Sequence, residues 1–511
     1  MSSLPRNLRG PALSTIVLIA ASYAFRLPAL LNARSTNSDA AIVGLQAMHM
    51  LRGEVSPLLW GSGYQTSADA GVAALFFAVL GPAPVVLMLS SLTLHVVLTL
   101  LVFAMLRRRF DPWLALLVVL PLVVTPSSVH SYALYPPRQL SLTLAMAAFW
   151  AIDQAAERES TGRWGQGWLA GGGLLATLAI SADPYPTLLL PLIGLYALLI
   201  TWPLVLRASA FAGGAAIGLL PFVMLHRLPG AKSGPMTFTT SMLAHHFRLL
   251  ADECLPWALS WKVYYAHNVM DYAPWDAPLW FRALGITGAL LLAGLVLCGL
   301  AVAVPRLGAR LPATVRRLGF TGALGFPLAI GAFLVSVMVM DHFSMRYLAV
   351  LTLLTPFAVA PAAAVLGPRR FALAFAPHLL ASAVAGWVGY GPFVRGVVPV
   401  RETPELRDDY ALADTLRARG LRYATADYWA SYRLTYLYRE EIVVVPTNAG
   451  EDRHAAYRLA FEAEPVFAYV FDPGRSREDV VVAERDLIAA NERVEKLKVG
   501  GLSVFVVTRR R

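Results

Sequence analysis

The chain of 511 residues is 57% apolar and only 15% charged, with a net charge of +11 at neutral pH. Soluble domains carry about 45–50% apolar and about 25% charged residues, so an ordinary soluble enzyme, a disordered chain and a collagen are all excluded. Two cysteines, Cys254 and Cys298, exclude a disulfide framework, and no C-x-x-C or His/Cys cluster offers a zinc site.

Apolar stretches long enough to cross a hydrocarbon core of about 30 Å recur over the first 395 residues. Eleven spans are predicted, at about 11–31, 84–106, 112–131, 135–152, 167–183, 185–206, 209–226, 279–303, 318–340, 347–367 and 371–391. The first follows Arg6 and Arg9, lacks a small-residue cleavage site and carries Arg26 near its far end, which predicts an uncleaved span rather than a signal peptide. The cytoplasmic side of a membrane protein retains Lys and Arg, so arginine in the short connections sets orientation. With the N-terminus inside, Arg6/Arg9, Arg107/Arg108/Arg109, Arg158/Arg163, Arg207, Arg306/Arg310/Arg316/Arg317 and Arg369/Arg370 all fall on the cytoplasmic side. The opposite short turns, near 182–186 and 341–346, hold only Arg346. Two long outer loops follow, at about 32–83 and 227–278, and the C-terminus lies outside.

The composition changes after Pro392. From about 396 onward β-branched runs (Glu441 to Val445, Leu502 to Val507) and a helical stretch from Arg477 to Asn491 predict a small α/β domain, 396–511, on the outer face. The expected fold is therefore a polytopic α-helical membrane region, 1–395, with a soluble extracytoplasmic α/β domain. From 395 to 511 the chain holds 19 basic and 19 acidic residues, so the whole positive excess belongs to the first 394 residues. Most of it orients the protein in a membrane, and nucleic acid is not an expected partner.

The first outer loop is the richest segment for chemistry. It reads Ser35-Thr-Asn-Ser-Asp39-Ala-Ala-Ile-Val-Gly44 and runs on through Leu51-Arg-Gly-Glu54 and Gly63-Tyr64-Gln65 to Asp69. Apolar residues at Ile42, Leu45, Met48 and Leu51 predict an amphipathic helix in the interface plane, with Ser38 or Asp39 capping its start. Asp39 is then either a cap or a carboxylate facing an enclosed cavity, and Asp69, ahead of the apolar run 70–80, has the same two readings. Asp183, in an Asp-Pro turn between two spans, is a simple turn residue or an ionisable group facing a polar cavity. The second loop offers His245, His246, Lys262 and an aromatic cluster up to His267. Adjacent helical histidines point about 100° apart and make a poor metal pair. Asp341 and His342 open the turn before Arg346. The tail segment Asp427-Tyr-Trp-Ala-Ser-Tyr-Arg433 reads as core packing of the small domain or as an acceptor contact.

A long acidic first outer loop with a surface helix, about a dozen spans and an outer C-terminal domain resembles the GT-C superfamily of integral membrane glycosyltransferases. More narrowly it resembles the bacterial branch related to protein mannosyltransferases and the aminoarabinose transferase of lipid A. The local likeness lies in Asn37-Ser-Asp39-Ala-Ala, Leu51-Arg-Gly-Glu54, Gly63-Tyr64-Gln65, Leu80-Gly81-Pro82, Met345-Arg346-Tyr347-Leu348 and Asp427 to Leu434. The resemblance implies transfer of a sugar from a polyprenyl-phosphate-linked donor to a glycan, lipid or protein acceptor at the periplasmic face of a bacterial inner membrane. Asp39 maps onto that family's general base. A second acid often follows the first in relatives, whereas here Ala40 stands next, so metal dependence is left open with Glu54 and Asp69 as the other loop acids. A lipid-phosphate leaving group needs cations near the outer interface, and Arg346 and Arg138 are the candidates, with interfacial snorkelling as the rival role for each. Glu54, Tyr64, Gln65, Asp69, Asp183, His245, Lys262, Asp341 and His342 complete the candidate cavity. A lipid or oligosaccharide transporter and a non-catalytic membrane assembly protein are the alternatives. Transporters place broken helices and polar groups near the midplane, often in two related halves, and neither feature is visible in the sequence.

Overall fold

The computed structural model describes residues 6–157, 163–200, 203–225, 227–228, 238–266, 272–390, 404–472 and 480–510. Arg158, His267 and the expected domain boundary near 395 lie outside them. Helix dominates as far as Val388, and among the described residues five helices are long and apolar enough to cross a bilayer: Pro84–Arg107, Leu204–Leu225, Leu279–Ala301, Ala313–Val335 and Ala360–Val388. Shorter apolar helices, among them Ala12–Phe25, Ala68–Leu80 and Tyr185–Leu198, lie among them. The protein is a polytopic α-helical membrane protein, as the apolar run lengths require.

One predicted span is locally broken, and the boundary between the last two predicted spans falls at a kink; proline and glycine explain both. The stretch 112–131 is helical only over Pro112–Val119, then passes through 3-10 turns around Pro121 and Pro126 before a helical turn at His130–Leu134. Each proline lacks the N–H that would continue the ladder. Residues 360–388 form two arms meeting at Gly367, whose backbone (φ 72, ψ 170) is open to glycine and is followed by Pro368. Elsewhere glycine brings helices together. A Cβ at Gly173 would lie 2.9 Å from the Ala215 nitrogen, so Arg163–Ala182 and Leu204–Leu225 touch backbone to backbone, and Thr177 donates across the contact to the Ala215 carbonyl at 2.9 Å.

Two buried arginines fasten the helical region. Arg109 pairs with the fully buried Asp153, which also accepts from Tyr196 at 2.5 Å. Arg26 is fully buried and does not snorkel. It donates to the carbonyls of Ser22 (3.1 Å), Leu122 (3.1 Å) and Val123 (2.8 Å), which satisfies the chain where Pro112–Val119 has ended.

The second long loop contains the helix Thr240–Leu249 and a short hairpin, β1 (Tyr264–Ala266) with β2 (Tyr272–Pro274). The tail carries a five-stranded sheet of β3 (Tyr423–Ala426), β4 (Val443–Pro446), β5 (Val466–Phe471), β6 (Arg493–Val499) and β7 (Leu502–Thr508), in the order β4-β3-β5-β7-β6. The first three strands are parallel and β7 is antiparallel to both β5 and β6. The β-branched runs at 441–445 and 502–507 supply β4 and β7, and the described part of the stretch 477–491 is the helix Val480–Ala490.

The loop helix, Ser38–Leu51, departs from expectation. Its cap is Asn37, whose side chain accepts from the Ala40 N–H at 2.8 Å, and not Ser38 or Asp39. Nor does its apolar face lie on lipid. Ala40 to Leu45 are buried between the helix Ala68–Leu80 and the tail helix Tyr428–Leu437. Tight approach is possible because residue 44 is glycine: a Cβ there would sit 2.7 Å from the Tyr436 ring. The tail therefore rests directly on the loop that carries Asp39.

Candidate active site

With Asn37 as cap, Asp39 falls in the first turn of the loop helix and is exposed. The tail orients it: Tyr428, itself 7% exposed, donates its hydroxyl to Asp39 Oδ1 at 2.5 Å. Ser38, one residue earlier, donates to the Tyr428 and Trp429 carbonyls at 2.7 and 2.9 Å, locking the two helices in register. Asp427 begins the tail helix by accepting from the Trp429 N–H at 2.9 Å, and the buried Arg433 pairs with Asp409. Arg453 lies over the Tyr428 ring, 5.2 Å from its centre, and donates to the Gly61 carbonyl at 2.8 Å. This close approach needs Gly61, since a Cβ there would be 2.7 Å from the Arg453 Cα.

A second polar group gathers Arg138, Asp183, Gln65, Asp69 and Arg346. Arg138 Nε is 3.3 Å from Asp183 Oδ2, and Gln65 donates to the same oxygen while accepting from Ser62 at 2.7 Å. Asp183 Oδ1 accepts from the Tyr185 N–H at 2.7 Å, which makes it both a turn residue and the partner of Arg138. Asp69 does not cap its own helix. It is 5% exposed and accepts from the N–H groups of Arg138 (3.3 Å) and Leu140 (3.4 Å), so it holds the start of the helix Gln139–Glu157. Three tyrosines join the arginines: Arg138 lies over Tyr132 at 5.8 Å, Arg346 lies over Tyr347 at 5.1 Å, and Tyr185 donates to the Arg346 carbonyl at 3.1 Å. Arg346 donates one bond to the Tyr347 hydroxyl at 3.2 Å, and its Nε is buried without a partner.

Tyr64 connects the two groups, being within electrostatic reach of both Arg138 and Arg453, and Arg453 in turn is within reach of Asp39. The exposed carboxylate is thus linked through Arg453 and Tyr64 to the neighbourhood of Arg138. Their chemistry is complementary: a proton acceptor, and two planar cations suited to phosphate oxygens.

The remaining sequence candidates have other partners. Glu54 is exposed and bonds His49 at 2.5 Å, on the far end of the loop helix. His245 meets the Met340 carbonyl at 3.2 Å and buried His246 meets that of Leu334 at 2.8 Å. Lys262 donates to the Asp252 carbonyl. Asp341 caps the 3-10 helix His342–Leu348, accepting from the Phe343 N–H at 3.0 Å, and His342 stands 3.8 Å from Glu253. Among the described residues no group of three or more His, Cys, Asp or Glu side chains is placed to hold a metal ion.

The whole architecture can be set beside solved structures. ArnT from Cupriavidus metallidurans bound to undecaprenyl phosphate superimposes with a TM-score of 0.53 at 12% identity, covering 97% of this chain and 97% of that one. The two chains share one fold. The apo form of the same ArnT gives 0.49 at 14% identity over 96% and 97% of the two chains. The Archaeoglobus fulgidus oligosaccharyltransferase, in complex with zinc and sulfate, gives 0.46 at 9% identity over 89% and 67%. Residues 70–226 match the family model described as dolichyl-phosphate-mannose-protein mannosyltransferase. A search of curated protein sequences returned no match.

Sequence reasoning missed Tyr428 as the partner of Asp39, Arg453, and the tyrosines at 132 and 185. Tyr428 stood in a segment already singled out, but nothing local to it pointed to a residue 389 positions earlier.

Proposed function

We propose that this protein is a glycosyltransferase that moves a sugar from a polyprenyl-phosphate-linked donor to an acceptor at the periplasmic face of a bacterial inner membrane. The carrying observation is an exposed Asp39 aimed by Tyr428, linked through Arg453 and Tyr64 to Arg138, beside which Arg346 lies. The GT-C fold, with undecaprenyl phosphate bound in the solved ArnT, supports the donor class. The proposed topology has eleven spans, an internal N-terminus and an outer tail, supported by the arginine-rich connections.

In the reaction Asp39 Oδ2 takes the acceptor hydroxyl proton as the new C–O bond forms at the anomeric carbon. Tyr428 holds the other carboxylate oxygen and fixes the direction of attack. The bond from the anomeric carbon to the phosphate oxygen breaks on the opposite face, inverting the centre, and the lipid phosphate leaves with both electrons. Arg346, through its unpartnered Nε, and Arg138 stabilise the charge that appears there. Asp183 and Asp69 set Arg138 in place, one through the side chain and the other through the backbone.

The test is Asp39→Asn in proteoliposomes supplied with a polyprenyl-phosphate sugar. General-base loss lowers turnover by about 10²–10⁴-fold while membrane insertion and melting behaviour are kept. Wild-type turnover in that variant removes the base assignment.

A further inference from the structure

The tail holds the loop helix Ser38–Leu51 at both ends, and the two contacts differ in chemistry. Tyr428 and Ser38 form the contact beside Asp39. Ten residues on, about 15 Å along the axis, His49 forms the other from the last turn of the helix. Its Nδ1 lies 2.5 Å from Glu54 Oε2 and its Nε2 lies 2.6 Å from Glu440 Oε1. One imidazole ring thus bridges a carboxylate of the loop and a carboxylate of the tail. A neutral imidazole has one N–H and one lone pair, and an ionised carboxylate only accepts. Both bonds therefore form together only on the imidazolium. Neither acid supplies the hydrogen instead: burial opposes the Glu440 charge, yet the bonds from His49 and Tyr457 hold it at about 2, and the His49 bond pulls Glu54 below its ordinary value.

The groups around the ring offer no substitute for that proton. Arg52, at the end of the loop helix, bonds Glu440 Oε2 at 2.7 Å, and Tyr457 of the tail donates to Glu440 Oε1. His454 and Trp60 pack beside it, with ring centres 5.5 and 4.8 Å from that of His49. Burial pushes His454 down to about 4, so it is neutral where His49 titrates. With His49 charged, Glu54 and Glu440 face two cations. Once its proton is lost they face Arg52 alone, and the Glu440 side chain is only 12% exposed to water.

The backbone under Glu440 is an independent sign. The tail helix ends with Arg439 at φ 51 and Glu440 at φ 65, left-handed positions that favour glycine, and the Glu440 N–H bonds the Thr435 carbonyl at 3.0 Å. Keeping an acidic side chain in that conformation points to a use for its carboxylate.

We propose that His49 is a proton sensor: its protonation clamps the tail to the loop helix and keeps the Tyr428 hydroxyl on Asp39, and its deprotonation loosens the clamp and slows sugar transfer. The coupling to turnover rests on the glycosyltransferase reading, whereas the clamp does not. Burial opposes the His49 charge, but the bonds to Glu440 and Glu54 raise the group above its ordinary value of about 6.5. The clamp is therefore complete below about 6.5 and is lost as pH rises through the raised value. Glu54, with a side chain 62% exposed, gives the ring its contact with solvent protons.

The full-length protein in proteoliposomes is followed from about pH 6 to about pH 9 by turnover of a polyprenyl-phosphate sugar and by protease cleavage of the tail. Wild-type turnover is expected to fall by about threefold or more as cleavage rises over the same interval. His49→Gln hydrogen-bonds without titrating, so both of its curves should be flat there. Glu54→Gln changes an exposed site and removes one of the two carboxylates that favour the charged ring, so both midpoints should move to lower pH. Wild-type curves in His49→Gln, or unmoved midpoints in Glu54→Gln, overturn the sensor. Cleavage that follows His49 while turnover does not overturns the coupling to Asp39. Absence of sugar transfer at every pH, with cleavage still following His49, overturns the glycosyltransferase reading and the coupling with it, while the clamp stands.

Discussion

The clasp at the far end of the loop helix gives a prediction whose size follows from its geometry. Glu440 receives hydrogen bonds from His49 at 2.6 Å, Arg52 at 2.7 Å and Tyr457, and His49 is bonded on its other nitrogen to Glu54 at 2.5 Å. His454 stacks on Trp60 beside them, with ring centres 3.9 Å apart, and burial pushes it down to about 4, so it stays neutral around pH 7. Burial alone would raise the Glu440 carboxyl, but the bonds from His49 and Tyr457 outweigh it and hold the group at about 2. Burial likewise opposes the His49 charge, and the bonds to Glu440 and Glu54 overcome it and raise His49 above its ordinary value. The Glu440 depression is equivalent to ~3 kcal/mol, and partial solvent access on the Arg52 side reduces that to ~1–2 kcal/mol. Glu440→Gln is therefore expected to speed amide exchange in the tail helix 428–437 about tenfold, read by hydrogen exchange at pH 6.5. The sign with pH is fixed. Glu440 contributes fully above about 4.5 and its share is lost toward pH 2, whereas the His49 share is full below about 6.5 and is lost as pH rises through its raised value. Wild-type protection should thus be greatest between about pH 4.5 and 6.5 and decline on the alkaline side, while Glu440→Gln flattens that decline. Equal exchange in the two proteins, with the same pH profile, would refute the reasoning.

Removing only the Tyr428 hydroxyl, as Tyr428→Phe, leaves packing intact and frees Asp39 to rotate. Turnover should fall about tenfold with little change in KM for the acceptor, measured in the proteoliposome assay, and an unchanged turnover would mean that the tail does not orient the base. Gly44→Val places a branched side chain against the Tyr436 ring, so it should detach the tail from the loop helix and destabilise by about 1–3 kcal/mol, detected as new protease cleavage between 404 and 440.

The long apolar helices were legible because bilayer thickness imposes a length that local composition reveals, as at 84–107, 279–301 and 313–335. Where proline interrupts such a run, as at 121 and 126, hydropathy still averages high and hides the break. Within the site, the Asp39 segment announced itself through Asn-Ser-Asp ahead of a helical period, though the cap fell on Asn37 and not on its neighbours. The grouping of Arg138 with Asp183 and Gln65 depends on helices whose lateral order is unwritten in periodicity. Glu440 and Arg439 were invisible for another reason: a left-handed helix end is signalled by glycine, and neither residue is one.

The hydrogen bond from Tyr428 to Asp39 also bears on the order of biosynthesis. The carboxylate is made 389 residues before the hydroxyl that aims it. A nascent or prematurely ended product would hold its spans in the bilayer and contain Asp39, yet lack the group that directs it. Under the proposed chemistry, activity is deferred until synthesis has passed the tail and the tail has folded back, so incomplete molecules in the membrane leave the sugar donor unspent.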